Sequence, residues 1–266
     1  MDSIEAGQYW EKNSEKWTEY TRKGYDVCRD EINTPAFLSI LPDVSGLNGI
    51  DVGCGEGHNT RVIARLGAKM RGVDIAPNFV KHASSHEQES PLGIEYSVAN
   101  AEHLDQSFEP EAFDFATSFM CLMDLPDQAA AFRGIFKILK PGGFLQFSIL
   151  HPCFNTPYRV IHKSEERVAY EVGDYFTREN GEIERWTFGQ AQRAKDFDPN
   201  SQMFEVPKFH RPLTEWFEMA QAAGFTIDKF HEPKVSAESL AKYPSLRFNQ
   251  SISLFLIIRV GKPKSS

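Results

Sequence analysis

The stretch GIDVGCGEGH, residues 49–58, decides the fold of this 266-residue chain. A short strand pattern ends in a glycine-rich turn, and a helical pattern follows. In such a unit the backbone N–H groups at the helix start can approach a ligand closely, because glycine has no Cβ. The glycines Gly53, Gly55 and Gly57 take positions one, three and five of the turn, whereas a dinucleotide fingerprint has them at one, three and six. The spacing therefore disfavours NAD or FAD, and with them a nicotinamide oxidoreductase.

Two acidic residues accompany this turn. Asp51 lies two positions before the first glycine, and a carboxylate there suits the cationic amino group of a methionine-like tail better than a pyrophosphate. Asp74 ends the second strand pattern, roughly twenty residues beyond the turn, where an acid can accept hydrogen bonds from ribose hydroxyls. Capping of the next helix is the alternative role for Asp74. Together the two acids indicate a nucleoside ligand that carries an amino-acid tail.

Short strands and helices alternate beyond the turn. The pattern predicts strands at 49–52, 69–74, 94–98, 113–119 and 144–150, with helices at 59–66, 77–86 and 127–139 between them. KPGG, residues 140–143, is predicted to stop the third helix and turn the chain. A helix at 213–223 and strands at 225–231 and 253–260 follow. This rhythm predicts an α/β Rossmann-like fold: a seven-stranded, mostly parallel sheet with helices on both faces and an antiparallel last strand.

We expect residues 1–266 to form a single domain, because no repeat or linker divides the chain. Within it, 1–45 is predicted to be a helical lid, 46–150 the cofactor-binding core, 151–211 an insertion that caps the substrate, and 212–266 a C-terminal helix and strands. Aromatic residues of the lid recur at helical spacing, and they either pack on the body or cover a ligand: Tyr9, Trp10, Trp17 and Tyr20.

Charge and cysteine content restrict the partners. The formal net charge of −8 disfavours nucleic acid, since an acidic protein repels phosphate. The four cysteines form no C-x-x-C pair, so no metal site is expected, and they fit a reducing cytoplasm. We find no apolar run long enough for a membrane span and no signal-peptide pattern at the start. The expectation is a cytoplasmic monomer or homodimer.

Five segments, in order, resemble the motifs of class I S-adenosylmethionine-dependent methyltransferases. They are IDVGCGEG at 50–57, GVDI at 72–75, NAEHL at 100–104, FDFATS at 113–118 and LKPGGFL at 139–145. The chain is similar to the broad type-11 subgroup, which includes enzymes of ubiquinone and menaquinone biosynthesis. The resemblance covers about residues 1–150 well and the C-terminal strands loosely.

The resemblance implies S-adenosylmethionine as the cofactor and S-adenosylhomocysteine as its product. It implies a cofactor-binding set at the strand ends: Asp51, Gly53, Cys54, Gly55, Asp74, Ile75, Asn100, Ala101, Glu102, Phe119, Met120 and Met123. The ribose would lie on Asp74 and the adenine edge on Asn100. The family often has aspartate where this chain has Asn100, which can still bond the adenine amino group but carries no charge.

The cofactor motifs leave the methyl acceptor open, because transfer from a sulfonium is a direct displacement. His151, at the carboxyl end of the fifth strand, is the candidate general base, and a purely positional role is its alternative. Tyr175, Trp186 and His210 of the insertion are substrate candidates. The leading hypothesis is methylation of an O, N or C atom of a small-molecule metabolite. An RNA- or protein-modifying methyltransferase and a non-catalytic S-adenosylmethionine-binding protein are the alternatives.

Overall fold

The computed structural model describes residues 1–164, 168–193, 197–198 and 203–264. The strands are β1 Asn48–Val52, β2 Lys69–Asp74, β3 Glu95–Val98, β4 Phe113–Phe119, β5 Leu139–Leu150, β6 Tyr158–Lys163, β7 Val168–Gly173, β8 Glu182–Trp186, β9 Phe204–Lys208, β10 Thr226–His231 and β11 Phe255–Gly261. The α-helices are α1 Ser3–Arg22, α2 Thr34–Ile40, α3 His58–Arg65, α4 Pro77–Glu89, α5 Leu104–Ser107, α6 Gln128–Ile138, α7 Leu213–Ala222 and α8 Ala237–Lys242.

Seven strands form one sheet in the order β3-β2-β1-β4-β5-β11-β10. The pairs β1–β2, β2–β3, β1–β4 and β4–β5 are parallel, and β11 is antiparallel to both β5 and β10. The predicted seven-stranded, mostly parallel sheet with an antiparallel last strand is confirmed. The strand order reverses direction between β1 and β4, so a crevice opens at the carboxyl ends of these two strands, where α/β folds bind ligands.

Apolar residues cover both faces of this sheet. On one face α6 and α7 bury Phe132 and Trp216 against the strands. On the other face α2 and α3 bury Phe37 and Ile63. Cover on two sides explains why six of the seven residues of β4 are buried instead of every second one.

The segment KPGG, residues 140–143, differs from the prediction. α6 ends at Ile138 as expected, but β5 begins directly at Leu139, so these residues belong to the strand instead of a turn before it. The register against β4 is irregular between Phe113 and Phe115. Gly142 has a φ of 81°, and its N–H donates to the carbonyl of Lys262. Residues 140–143 thus form an irregularity in the pairing of two inner strands, and Gly142 takes the left-handed conformation there.

The insertion contains two antiparallel hairpins, β6–β7 and β8–β9, which the sequence did not reveal. The second hairpin lies against α1. Lys12 Nζ pairs with Glu205 Oε2 at 2.7 Å. The ring centroid of Trp17 lies 5.0 Å from the ring centroids of Phe188 and Phe204. These contacts tie the N-terminal helix to the insertion. None of the helices in the described ranges is long and apolar enough to cross a membrane.

Candidate functional site

A cavity of about 740 Å³ lies at the crevice between β1 and β4. One end is lined by the glycine turn and Asp74. The other end is lined by α1 and the two hairpins of the insertion, and the π-helical turn Arg29–Asn33 lines the glycine end as well. A volume of this order is typical of sites for small molecules and cofactors.

The glycine turn is pressed against the loop that follows β4. The N–H groups of Gly53 and Cys54 both donate to the carbonyl of Val73, at 2.8 and 2.9 Å. Gly53 has a φ of 74°, and a Cβ there would lie 2.1 Å from Cys121 Sγ. Gly55 differs, because no described atom lies within 4 Å of the position a Cβ would take. The turn therefore presents open space to the cavity at Gly55 and close packing at Gly53.

Asp74 fixes the turn and faces the cavity. Its Oδ2 accepts a hydrogen bond from the Gly55 N–H at 2.9 Å, and its Oδ1 accepts one from the Ala76 N–H at 3.0 Å. Burial raises the pKa of this carboxyl to about 6. Each carboxylate oxygen keeps a further acceptor position. The side chain can thus hold two neighbouring hydroxyl groups, as the ribose prediction requires.

Asp51 lies in the floor of the cavity, almost fully buried. Its oxygens accept hydrogen bonds from Thr60 Oγ1 at 2.5 Å and Thr117 Oγ1 at 2.9 Å. Burial raises the pKa of this carboxyl to about 6 as well. A cationic group bound nearby would favour the ionised form.

Arg29 brings a cation to the same end of the cavity, and the sequence analysis missed it. Its Nη1 lies 3.1 Å from Glu56 Oε1 and its Nε 2.8 Å from Asp30 Oδ1. The π-helical turn places the guanidinium there, although Arg29 is 26 positions from Gly55 in the sequence. No motif surrounds Arg29, so only the tertiary contact identifies it.

Asn100 lies at the mouth of the cavity with Ile75 and Ala101. Its Oδ1 accepts the Glu102 N–H at 2.9 Å, and its Nδ2 donates to Ser3 Oγ at 2.8 Å. Glu102 turns toward α6, where its Oε1 accepts the Asp127 N–H at 2.8 Å. The Glu102 side chain thus makes a contact at a helix start and is not part of the cavity lining, and its cofactor contact stays a prediction.

The loop after β4 lines the cavity with Phe119, Met120 and Met123, which belong to the predicted cofactor set; Cys54 lines it too. Phe119 stacks on Phe37 with ring centroids 3.8 Å apart. Met120 has a φ of 55°, and the Leu150 N–H donates to Met123 Sδ at 3.2 Å. These contacts hold the loop over the crevice.

His151 has a different environment from the one predicted. Its Nδ1 accepts the Cys153 N–H at 3.2 Å, and its Nε2 lies 2.8 Å from Glu232 Oε1. Burial lowers the pKa of the imidazole. Because Nδ1 is an acceptor, Nε2 carries the hydrogen and donates to Glu232, which leaves no ring lone pair for an acceptor molecule. Both ring nitrogens thus have protein partners, and His151 is not part of the cavity lining; its general-base role stays a prediction.

The lid and insertion candidates separate into two groups. Four line the cavity: Trp10, Trp17, Trp186 and His210. Tyr20 is buried against Tyr25 and Phe204 instead. Tyr175 Oη accepts the Leu213 N–H at 2.8 Å, and Tyr9 lies half-buried on α1, outside the cavity lining. These three aromatic residues support the walls without forming the surface of the cavity.

Residues 50–147 match the type-11 family described as a methyltransferase domain. A "Ubiquinone biosynthesis O-methyltransferase" of Xanthomonas euvesicatoria pv. vesicatoria is 37% identical over 115 residues, which are 43% of this chain and 48% of that protein. One of Xanthomonas campestris pv. campestris is 40% identical over 106 residues, 40% of this chain and 44% of that protein. The chain thus spans under half the length of these curated relatives.

Solved structures share the fold. An S-adenosylmethionine-dependent methyltransferase from Mesorhizobium loti has a TM-score of 0.68 at 24% identity, covering 85% of this chain and 96% of that one. The 1,6-didemethyltoxoflavin-N1-methyltransferase of Burkholderia thailandensis has a TM-score of 0.58 at 15% identity, covering 99% and 92%. Residues 50–147 are therefore similar to a methyltransferase domain, and the large sheet has the fold of these solved structures.

Proposed function

We propose that the chain is an S-adenosylmethionine-dependent methyltransferase that acts on a small-molecule acceptor. The observation that carries the proposal is the cavity itself, which joins the glycine turn and Asp74 to an aromatic chamber under the insertion. Its volume of about 740 Å³ accommodates a cofactor and an acceptor side by side.

The residues at the glycine end fit the cofactor. Asp74 offers two acceptor oxygens to the ribose, Asn100 and Ile75 border the adenine position, and the open space at Gly55 forms the cradle between them. Arg29 supplies the cation for a methionine carboxylate, and Asp51 lies where the amino group would be. When bound, S-adenosylmethionine supplies an electrophilic methyl group.

The other end of the cavity excludes water and orients the acceptor. Trp10, Trp17 and Trp186 lie over it, and Phe209 and Trp216 add further aromatic walls. Enclosure by these rings favours direct transfer, because the enzyme's main task is to align two reactants away from solvent. The acceptor chamber lies largely outside residues 50–147, so the family match leaves the acceptor open. The relatives named for ubiquinone biosynthesis and for didemethyltoxoflavin support a small-molecule class.

Calorimetric titration with S-adenosylmethionine, S-adenosylhomocysteine and NAD tests the cofactor. We expect micromolar binding of the first two and no heat from NAD. Incubation with S-adenosylmethionine and a library of small metabolites, with S-adenosylhomocysteine measured by mass spectrometry, then tests transfer. Binding without any product would favour the non-catalytic alternative. A folded protein that binds neither sulfur nucleoside would overturn the proposal.

A further inference from the structure

The loop after β4 carries a carboxyl group that the cofactor site does not use. Asp124 ends the short 3-10 turn Leu122–Asp124, and it lines the cavity. Its backbone N–H donates to the Cys121 carbonyl at 2.8 Å, which fixes the position of the residue. Within the described part of the chain, no hydrogen bond or ion pair reaches its side-chain oxygens, and burial alone raises the pKa of the carboxyl well above its ordinary value.

The position of this carboxyl is close to the cofactor end. Cys121 links the two, since its Sγ lies against Gly53 and its carbonyl accepts the Asp124 N–H. Burial raises the pKa of the Cys121 thiol, and the carboxyls of Asp74, Asp124 and Asp51 raise it further. On the other side β9 packs against the 3-10 turn. Asp124 therefore lies where the glycine end of the cavity meets the chamber under the insertion.

The charged side chains of β9 have other partners. Lys208 Nζ pairs with Glu179 Oε1 at 3.0 Å, and Glu205 pairs with Lys12 at 2.7 Å. The Asp124 side chain is thus half-buried in the cavity wall, and no described donor pairs with it. Carboxyls with perturbed pKa values that line a cavity concentrate at functional sites, where a ligand can supply the missing donor.

We propose that Asp124 is a catalytic residue that accepts the proton of the acceptor's nucleophile, so that the acceptor is an alcohol, a phenol or an amine. This inference rests on the proposed methyl transfer. The nucleophilic oxygen or nitrogen forms its bond to the methyl carbon while the electron pair of the broken carbon–sulfur bond stays on sulfur. The proton passes to an Asp124 oxygen and then to water once the product has left.

Small probes of matched size test this assignment without knowledge of the natural acceptor. Binding of p-cresol, benzylamine and anisole to the S-adenosylhomocysteine complex is measured by NMR titration, for the wild type, Asp124→Asn, Asp124→Leu and Asp127→Asn. Asp127 lies three positions along on the exposed start of α6, so its variant is the matched control. Anisole has no O–H or N–H and reports the aromatic chamber alone.

We expect p-cresol or benzylamine to bind about tenfold more weakly to Asp124→Leu than to the wild type or Asp127→Asn. Asp124→Asn should weaken benzylamine by a similar factor and p-cresol less, since the amide oxygen still accepts a hydrogen bond. Preference for p-cresol indicates a hydroxyl acceptor, and preference for benzylamine an amine. Anisole should bind all four proteins equally.

Equal binding of both proton-bearing probes to the wild type and Asp124→Leu would overturn the inference, and so would no binding to either at millimolar concentration. Melting temperatures show whether each variant folds, and we expect no loss in Asp124→Leu because the half-buried carboxyl has no described partner to lose. If the wild type fails to bind S-adenosylhomocysteine, the proposed function falls instead. The two failures are therefore distinguishable.

Discussion

The two ends of the cavity are built in different ways. At the glycine end, the turn and Asp74 belong to consecutive β–α units, and one hydrogen bond, from the Gly55 N–H to Asp74, links them across 19 positions. At the insertion end, walls come from α1, from the loop after β4 and from the β8–β9 hairpin. The Trp17–Phe204 contact there joins residues 187 positions apart. A motif can encode the first kind of site, whereas only the assembled fold creates the second.

The two ends also differ in how much of each lies within the residues that match the methyltransferase-domain model. The glycine end is backbone-rich and lies mostly within the residues that match the methyltransferase-domain model, so we expect it to hold the proposed cofactor. The insertion end is side-chain-rich and lies largely outside the matched residues. Changes at the first end should therefore alter cofactor affinity, and changes at the second should leave it nearly constant.

The largest effect is expected at Asp74. Asp74→Ala removes the two acceptor oxygens and also releases the Gly55 N–H, so the affinity for S-adenosylhomocysteine should fall about 100-fold or more, as for the loss of two hydrogen bonds to a charged group. Calorimetric titration measures this affinity. Asp105→Ala, which removes an exposed partner of Lys137, is the control and should bind like the wild type. Equal affinities would break the assignment of Asp74 to the ribose.

The next effect concerns the close packing of the turn. Gly53→Ala combines left-handed strain with a clash against Cys121 Sγ, so both the melting temperature and the cofactor affinity should fall, the affinity about tenfold or more. Gly46→Ala is the control, because Gly46 has a similar φ of 77° but no described atom lies near the position of a Cβ. This variant should lower the melting temperature slightly and leave the cofactor affinity unchanged. Adding Cys121→Gly to Gly53→Ala removes the clashing atoms and should restore part of the affinity. If the affinity of the double variant does not recover, the left-handed backbone strain at position 53 alone causes the loss of affinity.

The contrast also explains which parts of the fold the sequence predicts. The strands of the large sheet are correct to within about one residue at most ends, since buried parallel strands and glycine turns leave local patterns. The exception is β5, which begins at Leu139, because the register irregularity opposite Phe113 depends on the partner strand. The hairpins of the insertion were missed since their strands mix polar and aromatic residues without clear alternation.

The residues of the site also differ in how well the sequence predicts them. The positions of Asp74, Asn100 and Met123 at the cavity could be predicted, because each lies at or shortly after the end of a strand. Arg29 and Asp124 reach the cavity through a π-helical turn and a 3-10 turn, and no local pattern marks either side chain as facing a ligand. His151 shows the converse: its place after β5 is right, but the partner Glu232, 81 positions away, decides which way its ring nitrogens are used.

A third prediction concerns the pH dependence of cofactor binding at the glycine end. The carboxyls of Asp51 and Asp74 both have a pKa of about 6, raised by burial. As pH falls through 6 they take up protons, which removes the charge that holds the hydroxyl and amino groups. The affinity for S-adenosylhomocysteine should therefore fall about tenfold between pH 7.5 and pH 5, in line with the loss of the ionised form of one group. Circular dichroism checks that the protein remains folded, and a flat profile would refute the role of these acids.

The smallest effect concerns the contact that joins the two ends. Ser3 Oγ accepts a hydrogen bond from Asn100 Nδ2 and so fastens the start of α1 over the cofactor mouth. Ser3→Ala should accelerate the dissociation of S-adenosylhomocysteine about fivefold, the factor for one neutral hydrogen bond. Stopped-flow fluorescence can follow it, since Trp10 and Trp17 line the cavity. Ser39→Ala, which loses only a local bond on α2, should not change the rate. If S-adenosylhomocysteine dissociates equally fast from both variants, the hydrogen bond between Ser3 and Asn100 does not hold α1 over the cofactor mouth.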